Sequence, residues 1–174
     1  MTTPPSAEPT ASPSHTPTRS HTSAPTPPAP RSGTIVALTN DDSSTGSVPF
    51  VIDVADWSLD DGARVHLWVR RTDGDYRNQL WTPEKLSSGT WRLVNVFSRK
   101  CLYHNADESV SQTGCADDTT QQWTFEKGGE IRSADNGDCM EIQGHQRITD
   151  AVLQTAPCDG RWYQHWRTEQ RSPS

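Results

Sequence analysis

The feature that most constrains this chain is a tripeptide that returns three times: Gln79-Leu80-Trp81, Gln121-Gln122-Trp123 and Gln164-His165-Trp166, at spacings of 42 and 43 residues. A fixed period of this length marks a repeated supersecondary unit, and the unit is larger than the tripeptide. Ahead of each one stands a Gly-containing turn that opens an alternating run: Ser32-Gly33-Thr34-Ile35, Ser88-Gly89-Thr90-Trp91 and Gly128-Gly129-Glu130-Ile131. A short apolar stretch follows each turn, Phe50 to Val54, Lys100 to His104 and Asp138 to Ile142.

Between these landmarks lie runs of β-forming residues, Val65 to Val69, Arg92 to Val96 and Gln122 to Phe125, divided by Asp61-Gly62, Asp73-Gly74 and Asn136-Gly137 turns. No long helical period is present. The pattern predicts an all-β domain of roughly a dozen short strands in three pseudo-equivalent, four-stranded repeats. A β-propeller repeats at a similar length but needs about four blades or more, so three units suit a closed β-trefoil.

The repeats fill only part of the 174 residues. Residues 1–33 hold nine of the 13 prolines, seven threonines and six serines, with almost nothing apolar larger than Ala. Such a stretch cannot bury enough surface to offset its chain entropy. It is expected to be a disordered, extended linker, and 34–174 to be one folded domain holding all seven Trp and all four Cys.

The formal net charge is -6, and residues 34–174 are more acidic still, with 14 basic against 21 acidic side chains. That balance argues against a nucleic-acid partner. The adjacent pair Arg70-Arg71 is followed by Asp73 and Asp75 and reads as solvated surface. No run approaches the roughly 18 apolar residues of a membrane span, and Met1 to Pro5 carry neither the basic nor the apolar region of a secretory signal. Cys101, Cys115, Cys139 and Cys158 form no CxxC pair, which disfavours a zinc ribbon or a redox site. Cys115 and Cys158 each lie eight residues before a repeat Trp, and Cys101 and Cys139 each head the similar upstream segment. The repeat therefore reads as two sequential disulfides, Cys101–Cys115 and Cys139–Cys158, and repeat one has Val51 instead. Each contributes about 3 kcal/mol in the chain-entropy account and implies an oxidising, extracellular or cell-surface compartment.

Three Gln-x-Trp tripeptides with paired Cys in two of the repeats resemble the ricin-type β-trefoil lectin family, over about residues 33 to 168. The resemblance implies that Trp81, Trp123 and Trp166 are core residues near a pseudo-threefold axis. It also implies a carbohydrate-binding module acting mainly through its first repeat, with galactose- or xylose-containing glycans as the favoured partners. The family's sugar-binding Asp falls on Asp53, and its stacking aromatic falls on Trp68. The polar residue two before that aromatic, usually Gln, is His66, and the Asn-Gln pair is intact as Asn78 and Gln79. This set suits a pyranose: an indole face covers the sugar's C–H patch, a carboxylate accepts hydroxyl hydrogens, and amides both donate and accept. In the run Val65 to Val69, His66 and Trp68 share one face and the aliphatic residues the other, so Trp68 is expected to point outward. Trp57, on the loop between the two strands, is placed to cover the same pocket.

The other repeats depart from this pattern. Repeat two has Tyr103 for the Asp, Thr113 for the aromatic and Thr120 for the Asn, and no site is expected there. Repeat three keeps Glu141, Gln154 and Gln164, a weak second site at best, with Ala156 and Tyr163 replacing the aromatic and the Asn. Tyr103, His104 and Tyr163 read as surface or core-edge side chains.

No catalytic constellation emerges, so the chain is read as a non-enzyme without cofactor or metal. The pairs Asp41-Asp42, Asp60-Asp61 and Asp117-Asp118 sit in turn-like segments and read as solvated charges, there is no Gly-x-Ser-x-Gly elbow, and the histidines have no metal-ligand spacing. The rival reading is a trefoil used for protein contact, as an inhibitor or receptor-binding module. The linker suggests a monomeric domain tethered to another domain of a larger protein, with avidity supplied by that partner.

Overall fold

The computed structural model describes residues 1, 29–40 and 48–172. Repeat one comprises β1 (Val36–Asn40), β2 (Phe50–Val54), β3 (Ala63–Val69) and β4 (Trp81–Lys85). Repeat two comprises β5 (Trp91–Asn95), β6 (Cys101–His104), β7 (Val110–Thr113) and β8 (Trp123–Phe125). Repeat three comprises β9 (Ile131–Ser133), β10 (Cys139–Ile142), β11 (Ala151–Ala156) and β12 (Arg167–Gln170). Among the described residues the remaining regular structure is single-turn 3-10 helices, so the all-β expectation holds.

The first and fourth strands of the repeats form a closed ring. β1 pairs with β4, β4 with β5, β5 with β8 and β8 with β9. A bridge between Glu130 and His165 continues the ring, and β12 closes it on β1. The middle strands form three hairpins, β2–β3, β6–β7 and β10–β11. β3 touches both β7 and β11, and Ser109 bridges to Gln154, so the hairpins meet as a cap over one end of the ring. This is a β-trefoil: ring closure removes the edge strands that an open sheet of this length would expose.

The repeated tripeptide explains the core. Trp81, Trp123 and Trp166 are all buried. Their indole N–H groups donate to Ile52 O at 3.1 Å, Leu102 O at 3.2 Å and Met140 O at 2.9 Å, one equivalent strand carbonyl in each repeat. Each Trp thus fills the centre with its ring and spends its only polar atom on the hairpin beside it. Leu38, Leu93 and Ile131 complete the same apolar cluster from the ring strands. Both disulfides form as expected, with Cα–Cα distances of 5.0 and 5.1 Å. Where the others have Cys, repeat one buries Val51.

The expected linker over 1–33 lies mostly outside the described residues, as do Asp41 and Asp42. The described end of that stretch already belongs to the domain. Pro30 is buried, Gly33 N–H donates to Pro83 O at 2.8 Å, and Lys85 N–H donates to Ser32 Oγ at 3.0 Å. Asp60, Asp61, Asp117 and Asp118 are exposed, as solvated turn charges should be. Hydrogen bonding from Lys100 holds the Asp61 carboxyl below its ordinary range. Among the described residues no helix is long and apolar enough to cross a membrane.

Candidate functional site

The repeat-one hairpin sets Asp53 opposite His66 and Val51 opposite Trp68. Asp53 follows Ile52, whose carbonyl takes the Trp81 indole, so the core contact fixes where the carboxylate emerges. The 3-10 turn Arg77–Gln79 then delivers two amides to it. Asn78 Nδ2 donates to Asp53 Oδ1 at 2.9 Å and to Val54 O at 3.0 Å. Gln79 Nε2 donates to Asp53 Oδ2 at 2.9 Å and to Val69 O at 3.1 Å, while Gln79 Oε1 accepts Arg71 N–H at 2.9 Å. His66 Nε2 lies 3.2 Å from Asp53 Oδ1. A carboxylate only 2% exposed is therefore met by three hydrogen-bonding side chains, the condition under which burying a charge is tolerable.

His66 is more enclosed than strand alternation implies, at 4% exposure, because the third repeat covers it. β11 pairs with β3, bringing Asp150 to the His66 ring: Nδ1 lies 2.6 Å from Asp150 Oδ1, and Arg64 Nη2 donates to the same oxygen at 2.6 Å. His66 thus spans two carboxylates, one from its own repeat and one from another. Its hydrogen bond to Asp150, reinforced by the Arg64 charge, holds the Asp150 carboxyl below the usual aspartate value. Asp150 adopts a left-handed backbone (φ 71°), which Asp tolerates better than most residues.

Over this base lies an open cavity of about 150 Å3 lined by Asp53, Asp56, Trp57, His66, Trp68, Arg71 and Asn78. Trp68 is half-buried and lies against the His66 ring, with centroids 5.1 Å apart and planes at 28°. Trp57 forms another wall; its ring meets Phe97 edge-on at 5.0 Å, and the Arg71 guanidinium lies 5.4 Å from its centroid. The turn that carries Trp57 is tight, with Asp56 and Trp57 both at φ 54°. Five of the six residues expected in repeat one, Asp53, Trp57, His66, Trp68 and Asn78, line the cavity, and Gln79 supports it from below. Sequence reasoning missed Asp56, Arg71 and Asp150. Arg71 had a visible signal, lying three residues after Trp68, but its acidic neighbours made it look like ordinary surface.

The Gln of the tripeptide does the same structural work in each repeat. Gln121 bridges Gly114 O and Ala116 N–H, and Gln164 bridges Pro157 O and Asp159 N–H, as Gln79 bridges Val69 O and Arg71 N–H. In repeat two, among the described residues, no carboxylate joins it, because Tyr103 stands in place of Asp53. In repeat three Glu141 joins it, accepting from Gln164 at 2.9 Å and Gln154 at 2.7 Å. Above Glu141, however, His145 stacks flat on Tyr163 with ring centroids 3.7 Å apart. Tyr163 and His104 are buried, but each meets an exposed partner, Asp159 and Asp135, so they stand at the edge of the core rather than on the surface.

A model of the ricin-type beta-trefoil lectin domain matches residues 45–170. The chain belongs to that family. No curated protein sequence matches it. Among solved structures, it is similar to a designed 3-fold symmetric protein, ThreeFoil, at 22% identity and a TM-score of 0.67, covering 77% of this chain and 96% of that one. It is also similar to the earthworm R-type lectin C-half in complex with GalNAc, at 14% identity and a TM-score of 0.64, covering 79% and 99%. A third similarity is to 1,3Gal43A, an exo-beta-1,3-galactanase from Clostridium thermocellum, at 24% identity and a TM-score of 0.67, covering 79% of this chain but 30% of that one.

Proposed function

We propose that this domain is a carbohydrate-binding module that takes one glycan unit in the cavity of repeat one. The observation that carries the reading is the Asp53 carboxylate, buried at 2% exposure and held by Asn78, Gln79 and His66 at the base of a cavity walled by Trp57 and Trp68. A fixed acceptor beneath an aromatic wall is what a pyranose with adjacent hydroxyls and an apolar face requires. A sugar that misplaces one hydroxyl leaves a polar group unpaired, at about 1–3 kcal/mol, so even a shallow cavity can separate epimers. Galactose- and xylose-containing glycans are the first classes to try, and the earthworm lectin bound to GalNAc belongs to the same fold.

The module has no catalytic role of its own in this reading. It serves as a monomeric accessory domain outside the cell, consistent with two disulfides and with a galactanase neighbour in which the matched part is a minor share of the chain. Repeat three is at most a weak second site.

The test is a glycan array run with the wild type, Asp53→Asn and Trp68→Ala, each checked for an unchanged thermal melting profile. Wild-type binding lost about a hundredfold in both variants, near 2.7 kcal/mol, is the expected result. Equal binding by all three would place the ligand elsewhere. A folded wild type that binds no glycan would instead favour the protein-contact module.

A further inference from the structure

Most hydrogen-bond donors around the repeat-one cavity are already spent within the protein. Both Nδ2 hydrogens of Asn78 have acceptors, Asp53 and Val54 O, and so do both Nε2 hydrogens of Gln79, Asp53 and Val69 O. Both ring nitrogens of His66 face carboxylates. An amide carries two N–H donors and an imidazole at most two, so none of these three side chains can donate to a ligand without surrendering an existing bond. His66 is then a positioning group for Asp53 rather than a donor to the sugar.

Arg71 is the charged donor left over. Of the five N–H groups on a guanidinium, one has a partner among the described residues, Nη1 to Asn78 Oδ1 at 3.3 Å. It is half-buried, lines the cavity, and is placed by Trp57 at 5.4 Å. Among the described residues no carboxylate comes within 4.0 Å of it, and it is the arginine that lines the cavity. The indole N–H groups of Trp57 and Trp68 are neutral single donors, able to meet a hydroxyl but not to offset a charge.

We propose that the cavity selects glycans carrying an anionic substituent, a sugar carboxylate or a sulfate ester, which Arg71 binds while a hydroxyl of the same unit donates to Asp53. This rests on the carbohydrate-binding reading above and names its ligand class. A planar guanidinium presents paired N–H groups that match the oxygens of a carboxylate or sulfate, and such charge-assisted bonds are about twice as strong as neutral ones. Two carboxylates share the cavity and both oppose an anion: Asp53, whose charge its amide hydrogen bonds hold in place, fixed at the base, and Asp56, exposed at the rim. Arg71 is therefore the group on which an anion must sit, with Asp53 met by a hydroxyl. The acidity of the rest of the domain acts from farther away and is screened beyond about 10 Å at 0.1 M salt.

The test places neutral galactosides and xylosides beside their matched uronic-acid and sulfated forms on one array, followed by titration of the tightest pair with the full chain. The expected result is an anionic ligand bound about tenfold more tightly than its neutral match, with the advantage erased in Arg71→Gln and reduced by added salt. Asp56→Asn should raise the ratio of anionic to neutral affinity about two- to threefold at low salt. The carboxylate and sulfate arms show which anion is taken. Equal binding of neutral and anionic forms overturns the proposal, as does Arg71→Gln weakening both by the same factor, which would make Arg71 a mere prop for Asn78 and Trp57. Neutral binding with no anion preference leaves the carbohydrate reading standing; binding of none of the ligands removes both.

Discussion

Repeats one and three each hold a buried acid on the Gln of the tripeptide, yet the side chains that stand above the two acids differ. Asp53 and Glu141 each accept from the Gln of the tripeptide and from the side chain opposite on the next strand. The difference lies above the acid. In repeat one the small Asn78 leaves room, and Trp57 and Trp68 wall the space. In repeat three Tyr163 replaces Asn78 and lies flat under His145, while Ala156 supplies no wall where Trp68 stands. The acid and its Gln clamp therefore belong to the fold, and the site is made by what surrounds them. Repeat two carries the point further: Gln121 keeps both backbone bonds with no acid at all.

If the tripeptide is structural in every repeat, its Trp should cost the same wherever it is removed. Trp81→Ala, Trp123→Ala and Trp166→Ala are each expected to destabilise the domain by about 3–5 kcal/mol, measured by denaturant unfolding. Only Trp81→Ala should also disturb the cavity, through Ile52 and its neighbour Asp53. A loss confined to repeat one would mean that the other two Trp are not equivalent parts of one core.

A smaller effect tests whether repeat one is complete by itself. Asp150, from repeat three, holds the His66 ring that in turn holds Asp53. Asp150→Ala should weaken glycan binding about tenfold, near 1.4 kcal/mol. Asp150→Asn should recover most of it, because its amide oxygen still accepts from His66 and Asn tolerates the left-handed backbone. In a His66→Gln background the Asp150→Ala loss should vanish, a coupling that a double-mutant cycle reads directly. Equal losses in both backgrounds would make Asp150 a general structural residue.

The same dependence on other repeats marks what could be read from the sequence. The trefoil was legible because three Gln-x-Trp units repeat at one period and two carry matched Cys, all local signals. Asp53, His66, Trp68, Asn78 and Gln79 were legible because they lie within 27 positions of one another in a single repeat. Asp150 was not, since it lies 84 residues from His66 and meets it only when β11 packs on β3. Alternation placed His66 and Trp68 on one face correctly, but it carries no information about which neighbouring repeat will cover that face. Arg71 and Asp56 were hidden differently: both are charged residues in turns, and only the closing of the cavity around Trp57 gives them a role.

The smallest expected effect concerns acid, and it separates the two repeats again. Asp150 and Asp159 are both held below the usual aspartate value of 3.8, Asp150 chiefly by its hydrogen bond to His66 and Asp159 chiefly by the Tyr163 hydroxyl that donates to it. For a carboxyl depressed on folding, the stabilisation is fully present above the unfolded value and is lost as pH falls through the folded one. Stability should therefore be level near neutrality and decline below pH about 4. Both side chains are well exposed, 55% and 38%, so the two contributions are small and shrink in about 1 M salt, where the screening length is about 3 Å. Asp159→Asn should flatten part of the acid decline in melting temperature without touching glycan affinity, because its partner Tyr163 does not line the repeat-one cavity. Asp150→Asn should flatten a comparable part and also change how affinity falls in acid, because its partner reaches Asp53. An Asp159→Asn variant with altered affinity would show that repeat three takes part in binding, and would dissolve the distinction between the two repeats.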